Sequence, residues 1–213
     1  MNALILTVIM TSVPLILDAT GELIAERSGV LNLGVEGMML MGAVAAFAAT
    51  SQSDNPYLGI VAGTCAGAIT AVIFSIFALG LATNQVATGL ALTIFGAGFS
   101  GLVGAPYVGS TIAGLNNLVI PILSDLPIIG LLLFQLDVLA YFSFLMLGLV
   151  AWFLNRSRAG LILRAVGNNH DSAHALGYSV LQVRFLAVVF GGFMAGLAGA
   201  YLPLVLTLSL IHI

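Results

Sequence analysis

Leu58–Leu81 reads LGIVAGTCAGAITAVIFSIFALGL, 24 residues without a charge. The hydrocarbon core of a bilayer is about 30 Å thick, and about 20 mostly apolar helical residues cross it. This stretch is long enough, and no charge has to be carried into lipid. The rest of the chain has the same character. Of its 213 residues 61% are hydrophobic and only 6% charged, and the mean hydropathy is +1.18. A soluble domain has about 25% charged residues, and one of this size could not cover its surface with so few. Lipid removes that requirement. The 25 glycines fit as well, because glycine lets membrane helices approach closely. The expected fold class is all-α, a polytopic transmembrane helical bundle placed multi-pass in the cytoplasmic membrane.

Working outward, six spans are predicted in all: Ala3–Ala19, Leu33–Thr50, Leu58–Leu81, Gln85–Val103, Asp137–Leu154 and Val183–Thr207. The first carries Pro14, which a membrane helix tolerates when neighbours satisfy the freed carbonyl. It follows Met1 with no positive flank and no clear cleavage site, so a retained helix is expected rather than a signal peptide. Ser51–Pro56 is a polar break. Gly104–Leu136 carries Pro106, Pro121 and Pro127 with Asn116, Asn117 and Asp125. It is too broken for a clean span, and part of it reads as an interfacial or re-entrant helix. One helical membrane unit is expected over residues 1–207, incomplete at its C-terminal end. Leu208–Ile213, LSLIHI, reads as a non-native tail. No internal repeat is evident.

The arginines orient the bundle. The chain has five Arg and no Lys. Arg27 lies in the first turn, and Arg156, Arg158, Arg164 and Arg184 flank or occupy the fifth. Odd turns share a side, so the positive-inside rule makes that side cytoplasmic. With a net charge of −3 there is no basic patch for a nucleic-acid backbone. Cys65 is the one cysteine, so no intrachain disulfide forms and the thiol reads as a buried filler.

Asn155–Val183, NRSRAGLILRAVGNNHDSAHALGYSVLQV, is the largest polar segment. It reads as a cytoplasmic loop with a short amphipathic helix. Gly167 and the asparagines after it are turn formers. Asp171 is expected to cap a helix over Ser172–Leu176, and Gly177 to end it in the left-handed conformation. On physics alone a solvated loop with basic anchors is the simpler reading. His170 and His174 are spaced as in H-E-x-x-H, but Asp171 replaces the Glu and no third ligand is apparent, so no metal is expected. Asp18, Glu22 and Glu26 share one face of a continuing helix, with Arg27 able to pair locally. A solvated, anchoring turn is favoured there over a pathway role. Glu36 is the exception, because a helix N-terminus stabilises an acid that still faces the bundle. Asn84, Gln85 and Thr88 offer donors and acceptors for a polar solute, or equally for helix–helix hydrogen bonds.

The polar segment resembles the coupling loop of permeases in the ribose and nucleoside branch of bacterial ABC importers. That family carries R-A-V-G-E-N-P, then small residues and a glycine. Here Arg164, Ala165, Val166, Gly167, Asn168, Asn169 and His170 are followed by Ala173, Ala175 and Gly177. Asn168 stands where the family usually has Glu, and His170 where it has Pro. Gly21–Gly42, GELIAERSGVLNLGVEGMMLMG, resembles the first-turn signature of nucleoside-type members. NQVATGLAL (Asn84–Leu92) and IPILSDLPIIG (Ile120–Gly130) are similar to family stretches at the same relative places. The resemblance implies a non-enzymatic transport subunit with no cofactor of its own. It further implies a second permease subunit in a heterodimer, an ABC ATPase subunit docked on the coupling loop, and an extracytoplasmic solute-binding lipoprotein. A Walker A loop needs a Lys, and this chain has none. The rival reading is an ion-driven secondary transporter with Glu36 as its working acid.

Overall fold

The computed structural model describes residues 2–112, 114, 115 and 136–207. The interfacial helix expected within 104–136 therefore lies largely outside the described residues, and the tail expected at 208–213 lies wholly outside them. Eight α-helices follow in the described chain order: α1 (Asn2–Arg27), α2 (Val35–Ser53), α3 (Pro56–Ser75), α4 (Gln85–Gly104), α5 (Val138–Arg156), α6 (Arg158–Asn168), α7 (His170–Ala175) and α8 (Val180–Tyr201). α3 ends in a π-turn over Ile76–Gly80, and α8 in another over Leu202–Thr207.

Local chemistry sets the helix starts. Asn55 accepts the Tyr57 amide and precedes Pro56, whose missing N–H costs nothing at a first turn. Asn84 caps α4, Asp137 caps α5 and Ser157 caps α6. α1 runs eight residues beyond the expected Ala19, because nothing in Thr20–Arg27 breaks a helix.

Five helices with their extensions are long and apolar enough to cross a membrane: Ile5–Arg27, Pro56–Gly80, Gln85–Tyr107, Val138–Arg156 and Val180–Leu206. α2, the second of the six expected spans, is not among them. Its 19 residues include Glu36, Thr50, Ser51, Gln52 and Ser53, yet at 1.5 Å per residue it is still about 28 Å long. The reason lies in its position. α2 packs against α3, α4 and α8, so protein covers much of it and less of its composition has to suit lipid.

α8 is the interior helix, in contact with α1, α2 and α3. Its apolar window is 67% buried against 22% for α4, which places α4 at the rim. Glycines let the backbones meet. A Cβ on Gly67 would lie 2.5 Å from the Gly196 Cα, and one on Gly42 would lie 2.7 Å from the same atom. The two G-x-x-x-G stretches of α3 and α8 thus face each other. Beside this seam Val13, Leu17, Leu139, Met194 and Tyr201 join α1, α5 and α8 in one cluster.

The turns segregate to opposite ends. At one end Leu31 N donates to Gln85 Oε1 (2.9 Å), and Arg184 Nε donates to the Ser28 carbonyl (3.2 Å). First, third and fifth turns therefore meet, as the arginine count requires. At the other end Gln52 Nε2 donates to Tyr107 Oη (2.9 Å), and Leu115 N to the Leu204 carbonyl (3.1 Å).

Candidate functional site: the arginine-bearing end and the acids beneath it

The segment between α5 and α8 is more helical than its sequence suggested. Gly167 is not a turn former. It lies within α6 and has no left-handed φ. Its lack of a side chain serves a close approach instead. A Cβ there would meet the Arg27 carbonyl, with Arg27 C at 3.0 Å and Gly29 N at 3.1 Å. Leu163 and Val166 are buried on the same side of α6. α6 thus lies directly on the backbone of the first turn.

The short helix is also shifted. It spans His170–Ala175, and Asn169 rather than Asp171 caps it, accepting the Ser172 amide at 3.0 Å. Asn169 precedes the helix in extended conformation, φ −153°, whereas Asp171 is already inside it. Gly177 does take the left-handed conformation, φ +87°, and Tyr178 N closes the motif on the Ala173 carbonyl (3.2 Å). Ala173 is buried. Ala165, Asn168, Asn169 and Leu176 are exposed. The segment so divides into a seated face and an open one.

Three arginines gather here. Arg27 is exposed, Arg184 reaches the Ser28 carbonyl, and the buried Nε of Arg164 has no hydrogen-bond partner. Among the described residues no arginine lies within ion-pair distance of a carboxylate. The local pairing expected of Arg27 with Asp18, Glu22 or Glu26 therefore does not form. Arg27 follows at the end of α1 and turns to the outside, whereas Asp18 and Glu22 turn inward. His170 Nε2 and Asp171 Oδ1 are 3.5 Å apart on the open surface.

The inward acids lie one and two turns deeper. Asp18 and Glu22 are half-buried, and Asp18 Oδ1 and Glu22 Oε2 are screened from solvent without a hydrogen-bond partner. Glu22 Oε1 accepts the Asn32 amide at 3.4 Å. Asn32 is buried, and its Oδ1 accepts Gly34 N at 3.0 Å, turning the chain into α2. Glu36, exposed in the first turn of α2, is near enough to Asp18 to act on its carboxylate. α1 and α2 so present three acids to one region.

The other residues expected on a pathway make hydrogen bonds within and between turns. Asn84 Oδ1 accepts Ala87 N (3.1 Å), Thr88 Oγ1 bonds the Asn84 carbonyl (2.9 Å) and lies 2.8 Å from Thr83 Oγ1, and Gln85 receives Leu31 N. They build the third turn and tie it to the first, and Gly89, next to Thr88, packs on the Leu33 and Gly34 amides just before α2. Asp137 was legible only as the start of a span. It is fully buried, capping α5 through Ala140 N (2.9 Å) and accepting the Tyr201 hydroxyl (2.7 Å).

A family model described as branched-chain amino acid transport system / permease component matches residues 4–211. The chain is 40% identical over 194 residues to a Haloferax volcanii protein that carries the provisional name of a glucose ABC transporter permease. That match covers 89% of this chain and 59% of the relative. It is 30% identical to the guanosine ABC transporter permease protein NupQ of Bacillus subtilis, over 93% of this chain and 66% of that one. It is 27% identical to the nucleoside ABC transporter permease protein NupC of Lactococcus lactis, over 94% and 67%. The chain thus spans about three fifths to two thirds of these relatives. No solved structure matches it. The match over residues 4–211 and the helical bundle agree, and the chain belongs to the family of branched-chain amino acid transport system permease components.

Proposed function

We propose that this chain works as the membrane-spanning permease subunit of an ATP-binding-cassette importer for a nucleoside or simple sugar. The observation that carries the reading is the seating of α6 on the first turn, Gly167 against Arg27 and Gly29. A force applied to the exposed face of α6 and α7 passes through backbone atoms into α1, with no flexible side chain between. α1 bears Asp18 and Glu22, which suit the hydroxyls of a nucleoside or sugar. The names of the relatives point to the same solute classes.

On this reading a separate ATPase subunit grips the segment from Arg164 to Gly177. Asn168, Asn169 and Leu176 lie on its open side, while Val166 and Ala173 hold it to the bundle. A second permease completes the pathway, and a solute-binding lipoprotein delivers from the other face. ATP-driven closure of the engine subunits then moves α6 and α7 as a lever and reopens the helices on the opposite side.

The test is reconstitution of the complete assembly in proteoliposomes, with uptake of radiolabelled nucleosides and hexoses. Uptake that needs ATP and the binding lipoprotein supports the proposal. Uptake that survives ATP depletion and collapses with an uncoupler refutes it in favour of an ion-driven carrier.

A further inference from the structure

The π-turn that ends α3 and the first two turns of α8 do not close on each other. Between them runs an apolar groove of about 440 Å³, walled by Ile76, Leu79 and Gly80 on one side and Leu181, Phe185 and Leu186 on the other. A Cβ on Gly80 would meet nothing within 4 Å. Ile76 and Leu186 are 54% and 66% exposed, so the groove opens sideways on the surface that lipid bathes. Leu79 and Leu181 also line a second cavity of about 690 Å³, so the two spaces adjoin.

The second cavity is of different chemistry. Thr83, Gln85, His174, Tyr178, Ser179 and Arg184 bring polar groups to its wall. No acidic residue is among the described residues that line it. Among the described residues Arg184 has no carboxylate at ion-pair distance, and only its Nε is committed, to the Ser28 carbonyl. The cleft thus has an apolar channel in the plane of the helices and a cationic, hydrogen-bonding chamber at the arginine-bearing end. A soluble anion would use only the chamber, and a hydrocarbon only the channel.

We propose that this cleft holds an anionic phospholipid of the cytoplasmic leaflet, with an acyl chain along Ile76, Leu79 and Phe185 and its phosphate toward Arg184. The occupant is a lipid because one end of the site faces the bilayer. It is anionic because the other end carries an arginine with no carboxylate partner among the described residues. The lipid would join α3 to α8 beside the lever, so the leaflet's charge would bear on the segment that α6 and α7 move. The proposal is independent of which solute is carried.

The test uses the chain purified with its partner subunits, in nanodiscs of equal phosphatidylglycerol and phosphatidylcholine, with retained lipid counted by native mass spectrometry. An arginine near an anionic headgroup favours the anionic lipid about fivefold, and that is the retention ratio expected. Arg184→Gln brings the ratio to about one, whereas Arg184→Lys keeps the preference. Gly80→Phe fills the groove from open space and lowers retention of both lipids. A wild-type ratio of one overturns the proposal, as it would if a partner subunit filled the cleft. An unchanged ratio in Arg184→Gln overturns it too. Equal loss in Arg184→Gln and Arg184→Lys does the same, since it would trace the effect to the Ser28 hydrogen bond.

Discussion

Replacing Gly167 with Ala adds one methyl group at the contact through which α6 meets the first turn. That methyl would stand 3.0 Å from Arg27 C and 3.1 Å from Gly29 N, with the Arg27 carbonyl oxygen nearer still, where ordinary contact begins at 3.4 Å. All three atoms are backbone, so none can swing aside and α6 must lift. Overpacking of this kind costs about 1–3 kcal/mol. Alanine returns about 0.5–1 kcal/mol as the better helix former. The middle of the two ranges leaves about 1 kcal/mol against the seated position, and the seated-to-lifted ratio falls about fivefold. Membrane insertion is unaffected, because α6 is not a span. The assay is solute taken up per ATP hydrolysed by the reconstituted assembly, with exposed Ala165→Ser as the control. A marked fall in that ratio is expected for Gly167→Ala, and a larger one for Gly167→Pro, which also breaks the helix. Wild-type stoichiometry in Gly167→Ala would refute the lever.

Gly67→Ala should lower bicelle unfolding stability by about 1–3 kcal/mol, since its Cβ meets the α8 backbone. Gly98→Ala, in open space on α4, should leave it nearly unchanged, and equal effects would argue against the glycine seam. Tyr201→Phe leaves a buried Asp137 oxygen without its donor and should cost about 1–3 kcal/mol by the same measurement. No loss would mean that water replaces the hydroxyl. Asn169→Ala removes the α7 cap and should cost about 1 kcal/mol, visible as faster hydrogen exchange at the Ser172 amide. Asp18→Asn should slow solute uptake at unchanged protein level, while unchanged initial rates would take the α1 acids out of the pathway.

Much of this molecule was legible because the membrane imposes simple rules. Where lipid surrounds a helix, composition must suit lipid, so α3, α4, α5 and α8 could be read from apolar runs alone. Charge near headgroups obeys the positive-inside bias, so the arginines indicated which turns share an end, and the contacts of Gln85 and Arg184 agree. Caps were not plain: Asp171 was expected to cap the short helix where Asn169 does, and Asn84 was read for its hydrogen-bonding groups and not as the cap of α4. The segment from Arg164 to Gly177 was marked out by its resemblance, and it lies between α5 and α8 at the arginine-bearing end.

Its internal geometry was not legible. Gly167 has the same composition whether it bends a chain or admits a neighbour's backbone, and only the position of Arg27 decides between them. α2 looked like any other span until its neighbours showed how much of it protein covers. Asp18 and Glu22 read as a solvated turn, because no local pattern reveals which way an acid near a helix end faces. Sequence determines what each segment tolerates within a few residues of itself. Tertiary structure alone decided which glycines touch, which acids turn inward and which arginines stay unpaired, because those depend on groups far away along the chain.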